Sequence, residues 1–348
     1  MTNKPTIALA LVLTLYVVMA YIYALIKPQW CDEVWQMVPA ANLAFNGYLG
    51  MGEQTTVFFP TLGSETHMYW YPPLSHVSLA GWFKVFGYGL MEARLHTIAW
   101  GVVLLCGVSR VSQVNRRKYP WHYSGIWKYL CEHNAWAGVW AALIVALDYN
   151  FLGCSDARPD IMCAALGVWA IATRSAWLAV AAALAHPFGV LYIVVLAVIK
   201  RKVEWVPYLV AAALWGLYIM QDPALWWQAM VAQCFVHIVR DSSSPGVGVY
   251  LAFGTGWRLV LLATYVGCAA FMALRNRNIA WCLLLLVIPA FLFIRMAYYM
   301  PHALPWLALS VAIMMRRYKW LALIIVLELG FAITSLIPIW SWTGRLGL

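Results

Sequence analysis

Acidic residues are scarce in this chain: 13 Asp and Glu stand against 23 Lys and Arg in 348 residues, and charged residues make up 10% of the whole. So little polar surface does not coat a water-soluble globule of this size. No stretch has the composition of a soluble domain. Internal repeats are absent, and the eight cysteines are scattered with neither a CxxC nor a paired spacing, so they read as small core residues. No small-residue cleavage motif follows the first apolar run, which therefore reads as a retained helix.

What is present is apolar and aromatic: 64% hydrophobic residues, with 21 Trp and 19 Tyr. Rings of that kind settle at headgroup depth where a chain repeatedly crosses a bilayer. The sequence thus predicts an all-α polytopic membrane protein, with residues 1–348 as one transmembrane domain. The formal charge of +10 lies in short clusters between apolar runs. That pattern sets orientation in a membrane and excludes nucleic acid as the partner.

In chain order, Thr6–Ile26 is long enough to span. Residues 27–76 are too rich in Gly, Pro and polar groups to do so and form a long first external loop with juxtamembrane helices. Leu74–Gly87, entered through Pro72 and Pro73, is an interfacial or re-entrant helix. Further spans are expected at Leu95–Val114, Ala135–Leu152, Ile161–Thr173, Ala176–Ala185, Phe188–Ile199 and Val206–Met220, then at Trp257–Leu274, Ile279–Ile294, Ala303–Met315 and Trp320–Trp340. The total is about eleven spans. A second external loop covers 221–256, with an amphipathic helix around Trp226–Val239. The basic clusters at 116–118, 174, 200–202, 275–277 and 316–319 all fall on one side. The positive-inside rule makes that side cytoplasmic, together with the amino terminus.

Orientation sorts the polar residues. Asp32, Glu33, Glu65, Asp156, Asp160, His67, His186 and His237 are placed outside. Arg94, Arg158, Arg240, Arg258 and Arg295 join them there, each against the positive-inside rule. An arginine so placed either pairs with a nearby carboxylate, as Arg158 can with Asp156 or Asp160, or serves an anionic ligand such as phosphate, which a guanidinium binds bidentately.

The motif order is specific where single motifs are not. The acidic pair in WCDEVWQ follows the first span; YPPL then enters the next helix, RPD opens an outer helix, HPFG breaks a later one, and Tyr298-Tyr299 precede Pro301 and Pro305. This order resembles the polytopic C-type (GT-C fold) glycosyltransferases, in the branch of the aminoarabinose transferases and protein O-mannosyltransferases, over nearly all of residues 1–340. The resemblance implies a GT-C-like helical bundle in the plasma membrane with its active site external. It implies inverting transfer of a sugar from a polyprenyl-phosphate donor to a lipid, protein or glycan acceptor. It also implies Asp32 as the catalytic carboxylate with Glu33 beside it in the acidic motif, and Arg158 in the donor-phosphate region. Arg295, with Arg94, Arg240 and Arg258 in reserve, joins that phosphate set, and His186, Tyr298, Tyr299, Asp160 and Tyr71 are candidates for the substrate pocket. Larger members carry an external soluble domain, and this sequence ends at Leu348 without one.

The chemistry agrees with the residue types. A hydroxyl or amine attacking an anomeric carbon needs a carboxylate base, while a polyprenyl phosphate leaves as an anion and needs only cationic stabilisation. Adjacent side chains point apart, so Glu33 is a supporting residue and not an opposed acid. No cofactor is expected; a divalent metal on Glu65, His67 and His237 would require the two outer loops to meet, and no metal-ligand spacing favours it. A transporter or flippase of a lipid-linked or anionic solute is the alternative of another class. Charged residues are almost missing from span centres, which disfavours it. An acyltransferase or sugar-polymerising enzyme using an outer histidine is a third reading, and it leaves Asp32 and the arginines without a role.

Overall fold

Continuous Ala, Leu, Val and Trp runs without a polar face make helices that are buried or meet lipid all round. The computed structural model describes residues 4–29, 31–52, 65–69, 71–111, 135–234, 257–275, 281–288, 300–315 and 318–343. Among these the regular elements are helices, and no strand occurs. They are α1 (Lys4–Ile26), α2 (Cys31–Phe45), α3 (Leu74–Phe86), α4 (Leu90–Val111), α5 (Ala135–Leu147), the one-turn α6 (Tyr149–Gly153) and α7 (Pro159–Thr173). There follow α8 (Ala176–Ala185), α9 (Gly189–Lys200), α10 (Trp205–Ile219), α11 (Pro223–Cys234), α12 (Trp257–Arg275), a π-helical segment Leu283–Val287, α13 (Met300–Met314) and, after a 3-10 turn, α14 (Leu323–Thr343).

Helices α1 and α4, of 23 and 22 residues, are long and apolar enough to cross a membrane. Seven further apolar helices have 10–17 residues. At about 1.5 Å per residue these fall short of the roughly 30 Å hydrocarbon core, so they cross only with help from their flanks or from a thinned bilayer.

The core is built where α1, α4, α5, α7 and α13 meet. Helix α13 is buried from Met300 to Ile313 in spite of Pro301 and Pro305. Close approach is bought by small residues: a Cβ on Gly167 of α7 would lie 2.4 Å from the Tyr192 ring of α9, and one on Gly189 would lie 2.2 Å from the Ala182 backbone. Around these points α7, α8 and α9 run up and down. Ser175 caps α8 by accepting the Leu178 N–H at 3.4 Å, and Arg174 and Arg201 end α7 and α9 in the left-handed conformation. Lys200 Nζ donates to the Arg174 carbonyl at 3.2 Å, which puts these basic residues at one end of the bundle and Arg158, Asp160 and His186 at the other.

Several expected boundaries move, for local reasons. Helix α4 begins at Leu90 instead of Leu95, because Gly87 (φ 91) stops α3 and Glu92 falls in the next first turn. The expected span Ala135–Leu152 divides at Asp148, whose Oδ1 accepts the Phe151 N–H at 2.9 Å and starts α6. The helix expected around Trp226–Val239 starts at Pro223, with Asp222 accepting the Leu225 N–H at 3.0 Å; residues 235–239 lie outside the described residues. Asp148 and Glu328 are both buried within the helical bundle, so carboxylates are less absent from its interior than the sequence suggested. Glu328 accepts the Tyr265 hydroxyl at 2.6 Å.

Candidate active site

Pro28 ends the first helix, and α2 restarts with Asp32 and Glu33 in its first turn, where the helix dipole favours negative charge. Successive helical residues lie about 100° apart, so the two carboxylates meet different partners. Glu33 is fully buried. Its two oxygens accept Arg94 Nε and Nη2, both at 2.8 Å, and Oε1 also accepts the Ala157 N–H at 3.3 Å. Arg94 Nη1 donates to the carbonyls of Ala24 and Lys27 at 2.5 and 2.8 Å, and Nη2 to that of Pro28 at 3.2 Å. A guanidinium has five N–H groups, and the protein supplies an acceptor for each. The structure therefore turns Arg94 away from the phosphate role expected of it. It closes the last carbonyls of α1 and ties them to α2, α4 and the segment before α7.

Asp32 points elsewhere. Its side chain is 29% exposed, and Oδ2 pairs with Nη1 of Arg158, a side chain that is itself buried. Arg158 precedes Pro159, whose fixed φ suits the first turn of α7. From there its Nε donates to Asp160 Oδ2 at 3.0 Å. Arg158 thus bridges a partly exposed carboxylate and a buried one. Behind it, Lys27 Nζ reaches Asp156 Oδ1 at 2.5 Å and the Gly153 carbonyl at 2.6 Å. Burial pushes the Asp156 carboxyl above its usual range, and the Lys27 ammonium opposes that rise.

Asp160 also draws in two histidines that the chain supplies from far away. His186 stands where α8 ends before Pro187, with Nε2 3.8 Å from Asp160 Oδ1; His302 of α13 approaches the same oxygen at 3.9 Å. The His186 and His302 rings stack at 6.0 Å, Phe188 stacks on His302 at 4.2 Å, and Tyr71 lies 5.7 Å from His186. Tyr192 Oη sits 3.3 Å from His302 Nδ1. Asp32, Arg158, Asp160, His186 and Tyr71 are thereby brought into one contiguous site. His302 and Lys27 belong to it too; the sequence places His302 among the outer polar residues without making it a site candidate, and it does not single out Lys27. Cys163, His186 and His302 hold ligand atoms within 4.8 Å of one another, a spacing compatible with a metal ion. The Phe188 N–H donates to His186 Nδ1 at 3.1 Å, so a neutral ring carries its proton on Nε2, toward Asp160. In that tautomer His186 Nε2 is a proton donor and not a metal ligand.

Residues 65–69 of the first loop do meet the segment that opens the second, at Tyr218 and Gln221. His67 Nε2 lies 2.9 Å from Gln221 Oε1, Tyr69 Oη donates to the Tyr218 carbonyl at 3.1 Å, and Tyr218 Oη donates to the Met68 carbonyl at 3.3 Å. A cavity of about 1030 Å³ opens beside them, lined among others by Glu65, His67, Tyr48 and Tyr218. His67 is bonded by Thr66 and Gln221 on its two nitrogens. His76, one helix away, is buried and held down to about 4 by burial, hence neutral. Arg240, Arg295, His237, Tyr298 and Tyr299 lie outside the described residues, and the Arg258 side chain does as well, although its backbone is in α12.

No protein-family model matches the chain, and no curated protein matches its sequence significantly. Among solved structures it is similar to the crystal structure of ArnT from Cupriavidus metallidurans bound to undecaprenyl phosphate, with a TM-score of 0.57 and 15% identity over 91% of this chain and 60% of that one. The apo crystal structure of the same protein gives 0.53 and 15% over 92% and 61%. The chain therefore spans about three fifths of the length of the ArnT structures it matches. Over nine tenths of its own length it has the fold of ArnT, an aminoarabinose transferase of the GT-C branch that the motif order resembles.

Proposed function

We propose that this chain is a membrane glycosyltransferase that moves a sugar from a polyprenyl-phosphate donor to a lipid, protein or glycan acceptor on the external face of the plasma membrane, with inversion. The observation that carries the reading is the contact of Asp32 with Arg158, in a fold shared with a protein crystallised with undecaprenyl phosphate. Asp32 is the partly exposed carboxylate of the group and takes the proton from the acceptor hydroxyl or amine. The acceptor oxygen or nitrogen bonds to the anomeric carbon as the bond from that carbon to the phosphate oxygen breaks, and the electron pair leaves on the phosphate. Arg158 offers charge to that leaving group. Glu33 holds the base's helix in place through Arg94, and Tyr71 and His186 line the approach.

Charge balance argues for further cations. Asp32, Glu33, Asp156 and Asp160 gather around Lys27, Arg94 and Arg158, with His186 and His302 beside Asp160. A phosphate arriving there adds negative charge, and Arg240, Arg258 and Arg295 are the outer arginines left to meet it. No metal or cofactor is assigned. The transporter reading gains from the buried Asp148 and Glu328, yet leaves the partly exposed Asp32 without a role.

The test is transfer of radiolabelled sugar from a panel of polyprenyl-phosphate monosaccharides in purified membranes. Asp32→Asn should lose about 100-fold or more, the usual span for a general base, and Arg158→Ala should lose activity as well. Full activity in Asp32→Asn would remove the mechanism. Release of sugar from none of the donors would favour the transporter.

A further inference from the structure

The site as it stands has its base and its phosphate ligand bound to each other. Asp32 cannot take a proton efficiently while its carboxylate is neutralised by Arg158, and Arg158 cannot serve a phosphate with the edge that Asp32 occupies. The two ends of the guanidinium differ. Nε is fixed 3.0 Å from Asp160 Oδ2, with both side chains buried, whereas Nη1 faces the partly exposed Asp32. Asp160 is in turn flanked by His186 and His302 at 3.8 and 3.9 Å. One edge of the arginine is anchored on a buried carboxylate and the other meets a partly exposed one.

Resting on the reading above, we propose that Arg158 exchanges Asp32 for the donor's phosphate while Asp160 keeps its Nε edge in place, so that donor binding itself frees the base. Asp160 is then a positioning residue acting through Arg158. No bond is made or broken in this step; an ion pair changes partners. It imposes an order, donor before proton removal from the acceptor.

The exchange predicts a competition that binding alone can read. Undecaprenyl phosphate is titrated against the full-length protein in detergent for wild type, Asp32→Asn, Arg158→Gln, the double variant and Asp160→Asn. Removing the competing carboxylate in Asp32→Asn should tighten binding by about tenfold, a coupling usual for charged neighbours. Arg158→Gln should weaken it, and in the double variant Asp32→Asn should bring no gain. Asp160→Asn also removes a negative charge, which by simple electrostatics would tighten binding; loss of the anchor should instead weaken it severalfold. Asp32→Asn binding no tighter than wild type, or gaining equally without Arg158, would overturn the exchange while leaving the transferase reading intact. Tighter binding in Asp160→Asn would overturn the positioning role. Absence of binding to the wild type would overturn both the exchange and the donor class.

Discussion

Two arginines that look alike in sequence are asked to do opposite things. Arg94 spends all five N–H groups on protein acceptors, and Arg158 keeps one edge at a partly exposed carboxylate. Arg94→Gln leaves Glu33 buried without its counterion, a change worth about 3–5 kcal/mol. Asp32→Asn takes charge from the partly exposed end of its pair and leaves the buried Arg158 its bond to Asp160, a smaller loss of about 1 kcal/mol. Thermal unfolding in detergent should show a large drop in Tm for Arg94→Gln and a smaller one for Asp32→Asn. Equal midpoints for the two would mean that Arg94 does not hold the helices together. Sequence reasoning identified both arginines as out of place but could not divide their roles. Glu33 lies 61 residues from Arg94, and no local pattern records that choice of partner. The alternation of adjacent side chains on a helix, by contrast, separated Glu33 from Asp32 without any structure.

At the scale of elements, turn chemistry was legible and packing was not. The limits of α8 follow from Arg174, Ser175 and His186-Pro187 as they stand in the sequence. The early start of α4 and the break at Asp148 needed the cap geometry to be seen. Glycines show the same division, since a helical glycine in a sequence does not say whether its missing side chain is needed. An added methyl at Gly167 meets Tyr192 at 2.4 Å, and at Gly216 of α10 it meets nothing within 4 Å. Gly167→Ala should cost about 1–3 kcal/mol as an overpacked contact and disturb the Tyr192 partner of His302, lowering transfer. Gly216→Ala should stabilise by about 0.5–1 kcal/mol through helix propensity. Unfolding midpoints of the two variants decide it, and a Gly167→Ala protein as stable as wild type would show that α7 and α9 have room to part.

For the whole molecule, the charge distribution and the fold make one joint statement about sides. The contacts of His67 with Gln221 and of Tyr69 with Tyr218 bring residues 65–69 of the first acidic-side loop to the start of the second, and the contact of Lys200 with the Arg174 carbonyl brings the basic turns together. That polar residues far apart in the chain sort to two ends was readable from the positive-inside pattern. Which end faces the cell exterior is a property of the protein in its membrane, and it decides whether Asp32 meets an external acceptor. Glu65 and Lys202 are both exposed, at the two opposite ends. In a background with the eight native cysteines replaced, Glu65→Cys should react with a membrane-impermeant maleimide on intact cells, and Lys202→Cys only after permeabilisation. The reverse pattern would place Asp32 and Arg158 on the cytoplasmic side, where an external acceptor never reaches them, and the proposed transfer would have to be assigned to an acceptor inside the cell.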